Sequence, residues 1–272
     1  AFKVYVAEFY ARCVYIDPAR VAKLPLEHVD AVINLAGIAR VDESFGDDAQ
    51  AKYDRVNVGA HVTAIDRLQQ LGKHDTRVVA VSTGAIYDNF QPMPVTEQTP
   101  LITNPAPYPG SKINMEQAMM DYRAKGMDIV IARPMNHIGP GQLAGFIVPE
   151  MIAKLRALGP DNVISMGRLD TKRDYTDVRD VARAYRLLAT TAVLNHDIYN
   201  ICSGVSHSGQ EILDILCNEL GLTGVTATID PSRVRPDGTD PMNIYGDASR
   251  LRQDTGWVPS FTFEQTLHDC LG

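Results

Sequence analysis

Short apolar runs alternate with amphipathic stretches along the first half of the chain. The runs are rich in Val and Ile and lie at Lys3 to Val6, Ala31 to Asn34, Arg77 to Ser82 and Asp128 to Arg133. Apolar runs of this length without strict alternation are typical of parallel strands that helices cover on both faces. The pattern therefore predicts four buried strands.

The stretches between the runs each carry one apolar stripe. The apolar residues of each stripe recur at steps of three and four. They are Val58, Val62, Ile65, Leu68 and Leu71 in one stretch, and Met115, Met119 and Tyr122 in another. This period predicts amphipathic helices. Strand, helix and strand in this order predict an α/β fold with a doubly wound, Rossmann-like parallel sheet. Ligands of such sheets bind beyond the carboxyl ends of the strands.

The pattern loosens from Asn136 onward, where Pro and Gly become frequent. A helix near 177–189, a strand at 197–201, a helix near 209–220 and a loop at 230–246 are predicted there, the loop being rich in Pro, Gly and Asp. We predict one domain over 1–135, to which segments around 163–201 return. A smaller, interwoven C-terminal lobe over 136–272 completes the chain.

Charge and composition exclude several classes of function. The formal net charge of −7 over 272 residues provides no overall basic field for nucleic acid. No apolar run reaches the roughly 18 residues of a membrane span, and no signal peptide is visible. The scattered cysteines have no metal-ligand spacing and are Cys13, Cys202, Cys217 and Cys270. They predict free thiols in a cytoplasmic protein without a metal.

The first candidate for chemistry is the segment Tyr108-Pro109-Gly110-Ser111-Lys112. Residues four apart share one face of a helix. An ammonium beside a phenol favours the phenolate, so Lys112 is expected to lower a tyrosine pKa that starts near ~10. Tyr108 would then serve as a general acid or base. The alternative is a surface pair without a catalytic role.

Three of the predicted strands end in small or polar residues. Ser82 and Thr83 end one strand, the turn Asn34-Leu35-Ala36-Gly37 ends another, and Arg133-Pro134-Met135-Asn136 ends a third. Successive strand residues point to opposite faces, so only one of Ser82 and Thr83 is expected to reach a ligand. Backbone at the Gly37 turn could approach a ligand closely.

Together these segments, with Tyr87 four residues after Thr83, resemble the extended short-chain dehydrogenases/reductases. The resemblance runs from about residue 30 to the C-terminus. It implies a cofactor, NADP or NAD, in the first domain and a substrate in the smaller lobe. Three longer strings, at 133–142, 172–181 and 199–204, resemble the members of the family that reduce the C4 carbonyl of GDP-linked 4-keto-6-deoxy sugars.

The resemblance also implies roles for single residues. Tyr108 would donate the proton, Lys112 would lower its pKa and hold the nicotinamide ribose, and Thr83 would bind the reacting carbonyl oxygen. The implied cofactor contacts are Leu35, Ala36, Gly37, Tyr108, Lys112, Arg133 and Pro134.

For the substrate, the resemblance implies a contact from Asn136 and diphosphate contacts from Arg173 and Arg235. Guanidinium forks suit phosphate oxygens. The alternatives are a loop that caps its own backbone at Asn136 and a solvated salt bridge of either arginine with Asp174 or Asp237. Asn57 fits a family asparagine that supports the active site, although a surface helix position would explain it equally well. The resemblance further implies a homodimer.

Two other functions remain open within this fold. A sugar-nucleotide epimerase needs no further acid or base, whereas a dehydratase places an acidic pair where this chain has Gly84 and Ala85. The second open function is that of a non-catalytic dinucleotide-binding regulatory protein. It gains support because the first predicted strand is not followed by a glycine-rich phosphate loop, and the first glycine is Gly37. Either that loop is lost, or a glycine-rich segment is missing between Val6 and Asp17. We favour the missing segment.

Overall fold

Residues 4–7, 23, 25–38, 48–88, 90–235 and 239–272 are described by a computed structural model. Its main sheet is entirely parallel, and its strands in spatial order are β1 (Val4–Ala7), β2 (Ala31–Asn34), β3 (Arg77–Val81), β4 (Ile129–Pro134) and β8 (Ile198–Ile201). The four strands read from the apolar runs are therefore confirmed. The question of a missing phosphate loop concerns residues 8–17, which lie outside the described residues.

Helices cover both faces of the main sheet, as the continuous apolar strands predict. The helices are α1 (Ala49–Asn57), α2 (Gly59–Gln70), α3 (Pro107–Ala124), α4 (Ile147–Arg156), α5 (Val178–Thr190), α6 (Gly209–Glu219), α7 (Ser249–Thr255) and α8 (Phe263–Cys270). Val78 and Ala80 of β3 face the core formed with α2 and α3. Val79 and Val81 face the opposite core, which α5 covers. This alternation makes the sheet doubly wound and confirms the fold class.

Between residues 136 and 272, the described residues also form two short sheets apart from the main one. Their strands are β5 (Asn136–Ile138), β6 (Val163–Met166), β7 (Lys172–Asp177), β9 (Ser206–Ser208), β10 (Thr226–Ile229) and β11 (Asn243–Ile244). β6 pairs with β10, and β7 pairs with β5, β9 and β11. A third apolar core lies under α4, α6 and α8. The chain returns to the main sheet with α5 and β8, whereas residues 163–177 belong to the short sheets.

The cysteines and the helices agree with the composition of the chain. Cys202, Cys217 and Cys270 are free thiols, while Cys13 lies outside the described residues. Among the helices that the structure describes, none has the length and apolar character to cross a membrane.

Candidate active site

Parallel pairing brings the carboxyl ends of three strands to one edge of the main sheet. Asn34 of β2 pairs with Ala80 of β3, and Val81 pairs with Ala132 of β4. The residues that directly follow these strands therefore lie side by side. They include Gly37 and Thr83, as the strand-end argument predicted.

Helix α3 carries Tyr108 and Lys112 to this edge. Pro107 occupies its first turn, a position that tolerates proline because the N–H there has no helical partner. Lys112 is buried, and its Nζ donates a hydrogen bond of 2.8 Å to the main-chain oxygen of Val81. Burial lowers the pKa of Lys112 to about 8, opposed by the charge of Glu116. The ammonium is therefore fixed at the end of β3.

Thr83, rather than Ser82, faces the open side of this edge. The Thr83 side chain is half-buried and lowers the pKa of Tyr108, and its Oγ1 accepts from the main-chain N–H of Ala85 at 3.2 Å. Ser82 is buried, and its Oγ has no hydrogen-bond partner. The alternation of strand side chains thus separates the two hydroxyls as expected.

The predicted effect of Lys112 on Tyr108 is wrong for this structure. Burial raises the pKa of Tyr108 above its usual value, and the hydrogen bond with Thr83 opposes that rise. The argument from helical spacing counted only the neighbouring charge, but removing a phenol from water disfavours its charged form. Tyr108 is therefore a neutral phenol that holds its proton next to Thr83.

Asn57 links the glycine turn to α3, which answers the open question about its role. Its amide accepts from the N–H of Ile38 at 2.7 Å and donates to the Ile38 oxygen at 3.2 Å. It also donates to Ser111 Oγ at 2.8 Å, and Ser111 Oγ donates to the main-chain oxygen of Tyr108 at 2.8 Å. Asn57 is therefore a buried residue that joins the glycine turn to α3, and not a surface helix residue.

The Gly37 turn leaves little room for a side chain. A Cβ at Gly37 would lie 3.0 Å from Asn57 Oδ1 and 3.3 Å from Lys112 Nζ. Ala36 is buried, with its N–H on Asn34 Oδ1 at 3.0 Å, and Leu35 is half-buried. Bare backbone beside an ammonium forms a cradle that suits the polar ribose end of a dinucleotide.

The Arg133 side chain is turned into the protein interior, away from solvent. Its guanidinium is buried and forms a fork on Glu116, with Nε–Oε1 and Nη2–Oε2 distances of 2.9 and 2.6 Å. It also donates to the Tyr87 hydroxyl at 3.0 Å, which in turn donates to Asn200 Oδ1 at 2.6 Å. The Arg133 side chain is thus enclosed in the protein, whereas Pro134 lines the open cavity beside Thr83.

Two neighbouring cavities extend from the strand ends into the smaller lobe. The first, of about 170 Å³, is lined by Thr83, Gly84, Ala85, Pro134, Met135, Asn136, Arg173, Asp174, Arg235 and Ile244. The second, of about 410 Å³, begins at Asn136, Arg173 and Arg235, which line both cavities. Three of the four residues predicted to contact substrate therefore lie where the two cavities meet, and the fourth, Thr83, lines the first cavity.

The two predicted phosphate-binding arginines share one carboxylate, that of Asp240. Asp240 Oδ1 accepts from Arg173 Nη2 at 2.6 Å and from Arg235 Nη1 at 3.0 Å. The alternative of a salt bridge with Asp174 is wrong, because Asp174 is buried and accepts from Ser203 and from the N–H groups of Gly204 and Gly246. Asp237 lies outside the described residues.

Sequence reasoning missed several residues of this site. Arg168 and Arg233 also line the second cavity, in ion pairs with Asp170 and Glu150 respectively. Arg233 lies two residues before Arg235 in the same basic segment, so its presence had a signal in the sequence. Asp240 had none, because an acidic residue in a Gly- and Asp-rich loop is ordinarily a solvated turn residue.

Comparison with known proteins places this geometry in a family. The family model described as GDP-mannose 4,6 dehydratase matches residues 16–270. A GDP-6-deoxy-D-mannose reductase from Pseudomonas aeruginosa is 30% identical over 261 residues, covering 94% of this chain and 84% of the relative. A GDP-6-deoxy-D-talose 4-dehydrogenase from Aggregatibacter actinomycetemcomitans is 32% identical over 188 residues, covering 68% of this chain and 60% of the relative.

Solved structures agree with this assignment. RMD from Pseudomonas aeruginosa, complexed with NADPH, matches with a TM-score of 0.86 at 25% identity, covering 100% of this chain and 98% of the other. A putative epimerase from Burkholderia cenocepacia J2315 matches with a TM-score of 0.81 at 28% identity, covering 94% and 79%. The chain belongs to the GDP-mannose 4,6 dehydratase family, a family of extended short-chain dehydrogenases/reductases that share this doubly wound fold.

Proposed function

We propose that this protein is an NAD(P)H-dependent reductase that acts on the C4 carbonyl of a nucleotide-activated 4-keto-6-deoxy sugar. The substrate we propose is GDP-4-keto-6-deoxy-D-mannose, with GDP-D-rhamnose as product. The observation that carries the proposal is the first cavity, which is lined by Thr83 as well as by Arg173 and Arg235. The identity with a GDP-6-deoxy-D-mannose reductase over 94% of the chain supports the choice of sugar and nucleotide.

The residues at the strand ends fit the nicotinamide end of a dinucleotide. The Gly37 turn presents backbone beside Lys112 Nζ, and a side chain at that position would fill the cradle. When bound, NADPH or NADH supplies the hydride that reduces the carbonyl carbon. Lys112 donates to the ribose hydroxyls in this arrangement, and Leu35, Ala36 and Pro134 line the approach. Binding of NADPH by the matched RMD structure supports this assignment.

Tyr108 and Thr83 complete the reduction by acting on the carbonyl oxygen. Thr83 donates a hydrogen bond to that oxygen, which stabilises the negative charge that develops there. Tyr108 is a neutral phenol and donates its proton to the same oxygen. The raised pKa of Tyr108 keeps the proton in place before the reaction. Thr83 lowers the pKa of Tyr108, so the two hydroxyl groups interact and can serve one acceptor atom.

The two cavities correspond to the parts of a nucleotide sugar. The sugar occupies the first cavity beside Thr83, with Asn136 on its hydroxyl groups. The diphosphate lies where the cavities meet, on Arg173 and Arg235. The nucleoside occupies the second, larger cavity. In this arrangement residues 1–135 with α5 and β8 form the cofactor domain, and the smaller lobe binds the substrate.

A dehydratase activity is disfavoured by the residues after Thr83. Gly84 and Ala85 have no group that can move a proton, so they cannot assist the elimination of water. A Cβ at Gly84 would also lie 2.1 Å from Met135 Sδ, so the Met135 side chain would have to shift to admit an acidic side chain. This steric limit strengthens the argument from sequence.

An enzyme assay separates the remaining functions. Purified protein is mixed with NADPH or NADH and GDP-4-keto-6-deoxy-D-mannose, and the absorbance at the reduced-nicotinamide band is followed. A reductase consumes one cofactor per sugar, whereas an epimerase regenerates its cofactor and shows no stoichiometric loss. A regulatory protein would bind NADPH in a titration without consuming it. Matched UDP- and dTDP-linked sugars test the choice of base. The homodimer and the cytoplasmic location remain predictions.

A further inference from the structure

The arrangement of Asp240 between two arginines has a consequence for substrate affinity. One oxygen, Oδ1, accepts from Arg173 Nη2 at 2.6 Å and from Arg235 Nη1 at 3.0 Å. A phosphate oxygen bound by both arginines would need the same two donor groups. We propose that Asp240 is an internal competitor of the substrate, whose carboxylate occupies the position of a diphosphate oxygen and is displaced when the diphosphate binds. This inference rests on the proposed function.

The contacts of Arg173 show which bond can exchange. Its Nη1 donates to the main-chain oxygens of Lys172 and Pro241 at 2.7 and 2.9 Å, and these contacts hold the guanidinium in place. Only Nη2 is bound to Asp240. A phosphate oxygen can therefore replace the carboxylate on Nη2 without turning the Arg173 side chain.

Electrostatics favours displacement over a shared site. A carboxylate that stayed between the arginines would lie within hydrogen-bond length of the diphosphate charge, and close like charges at a binding site cost affinity. The Arg173 and Asp240 side chains are 14% and 20% exposed, so solvent screens this repulsion only in part. Arg235 is 64% exposed, so its side chain can follow either partner.

The test is a titration of three proteins with GDP and, separately, with inorganic pyrophosphate at one ionic strength. Asp240→Asn keeps the shape of the side chain and removes its charge. Asp170→Asn makes the same change in a pair with Arg168 on the rim of the second cavity, but leaves Arg173 and Arg235 as they are. Calorimetry gives the dissociation constants, and NADPH binding checks that each variant is folded. If Asp240→Asn does not fold, Asp240→Ser takes its place.

The proposal predicts that Asp240→Asn binds both GDP and pyrophosphate more tightly, by on the order of tenfold. The gain is expected because the variant removes the negative charge that competes with the phosphate oxygens for the two arginines. Asp170→Asn should change either affinity by less than about twofold, because exposed pairs are weakly coupled. In turnover, KM should fall for Asp240→Asn with kcat nearly unchanged. Unchanged or weaker binding by Asp240→Asn, or equal tightening by Asp170→Asn, would overturn the proposal.

This design separates the inference from the proposed function. Pyrophosphate carries neither base nor sugar, so its binding reports on the arginine pair whatever the enzyme reduces. If GDP-4-keto-6-deoxy-D-mannose is not reduced but Asp240→Asn binds pyrophosphate more tightly, the proposed function fails and the role of Asp240 stands. If the sugar is reduced and Asp240→Asn gains no affinity, the reverse holds.

Discussion

Lys112 Nζ donates a hydrogen bond of 2.8 Å to the main-chain oxygen of Val81, two residues before Thr83. Through this bond α3, which carries Tyr108, is tied to the end of β3, which Thr83 follows. The side chains proposed for proton transfer and for carbonyl binding are therefore held in one frame. Asn57 adds a second tie, from the Gly37 turn to Ser111 on the same helix.

Replacing Thr83 tests the proposed contact with the carbonyl oxygen. Thr83→Val keeps the shape and removes the hydroxyl, so we expect kcat/KM to fall by about 10²-fold, the loss typical of one donor to a developing oxyanion. Ser82→Ala is the matched control, because Ser82 Oγ is buried without a partner. It should retain near wild-type activity. If Ser82→Ala shows the larger loss, the assignment of the two hydroxyls is reversed.

Replacing Tyr108 tests the proton donor. Tyr108→Phe should lower kcat by about 10²–10⁴-fold, the usual contribution of a general acid, while NADPH binding changes little. Lys112→Met should damage both steps, because Lys112 is assigned to the ribose as well as to the site. Tyr122→Phe is the control on the same helix, since its hydroxyl donates to Asp66 outside the site. Retention of more than a few per cent of the rate by Tyr108→Phe would require another proton donor.

Replacing Arg173 tests the diphosphate contact. Arg173→Ala should raise KM, because the loss of a charge-assisted hydrogen bond costs roughly 1.5–3 kcal/mol of binding free energy. It should leave kcat nearly unchanged, because the diphosphate is remote from C4. Steady-state kinetics separate the two constants. Arg156→Ala, on the exposed part of α4, is the control. A fall in kcat at saturating substrate with constant KM would place Arg173 in the catalytic machinery instead.

The stability of the protein should depend on pH through His61. His61 is buried, and its Nδ1 lies 2.9 Å from the main-chain oxygen of Asn57. Burial, together with the charge of Lys112, lowers the pKa of His61 from its ordinary value of 6.5 to about 3. As pH falls from 6.5 toward 3, the unfolded chain takes up a proton that the folded protein does not, so stability falls. Between pH 7.5 and pH 5 the loss is about 2 kcal/mol.

Urea unfolding at these two pH values measures the effect. The His61→Asn variant should be less stable than wild type at both pH values. Its free energy of unfolding should fall by about 2 kcal/mol less than that of wild type between pH 7.5 and pH 5. His74→Asn, at an exposed position, should keep the wild-type dependence. An equal loss in wild type and His61→Asn would show that other groups cause the dependence.

The sequence predicted the main sheet well because its signal is local. The apolar runs at 31–34 and 77–82 match β2 and β3 to within one residue, since strands that are buried on both faces must be apolar throughout. Thr83 was predicted because it follows the run at 77–82, and Tyr108 and Lys112 because residues four apart share one face of a helix. Parallel pairing brings Thr83 beside the Gly37 turn, and α3 brings Tyr108 and Lys112 to the same edge.

The sequence did not predict contacts between distant loops or the effect of burial. Asp240 lies 67 residues from Arg173, and no local pattern joins them. The Arg133 side chain could be taken for a cofactor ligand because its partner Glu116 lies on another element. The pKa of Tyr108 was predicted in the wrong direction, because the desolvation of its phenol depends on packing around the whole site.

The central claim is tested most directly by following the hydride itself. The protein is incubated with GDP-4-keto-6-deoxy-D-mannose and NADPH that carries deuterium at the transferred position, and the product is examined by mass spectrometry and NMR. The account predicts one deuterium per product sugar, bound at C4, and an equal amount of oxidised cofactor. A product without deuterium, or cofactor that stays reduced while the sugar is converted, would contradict it.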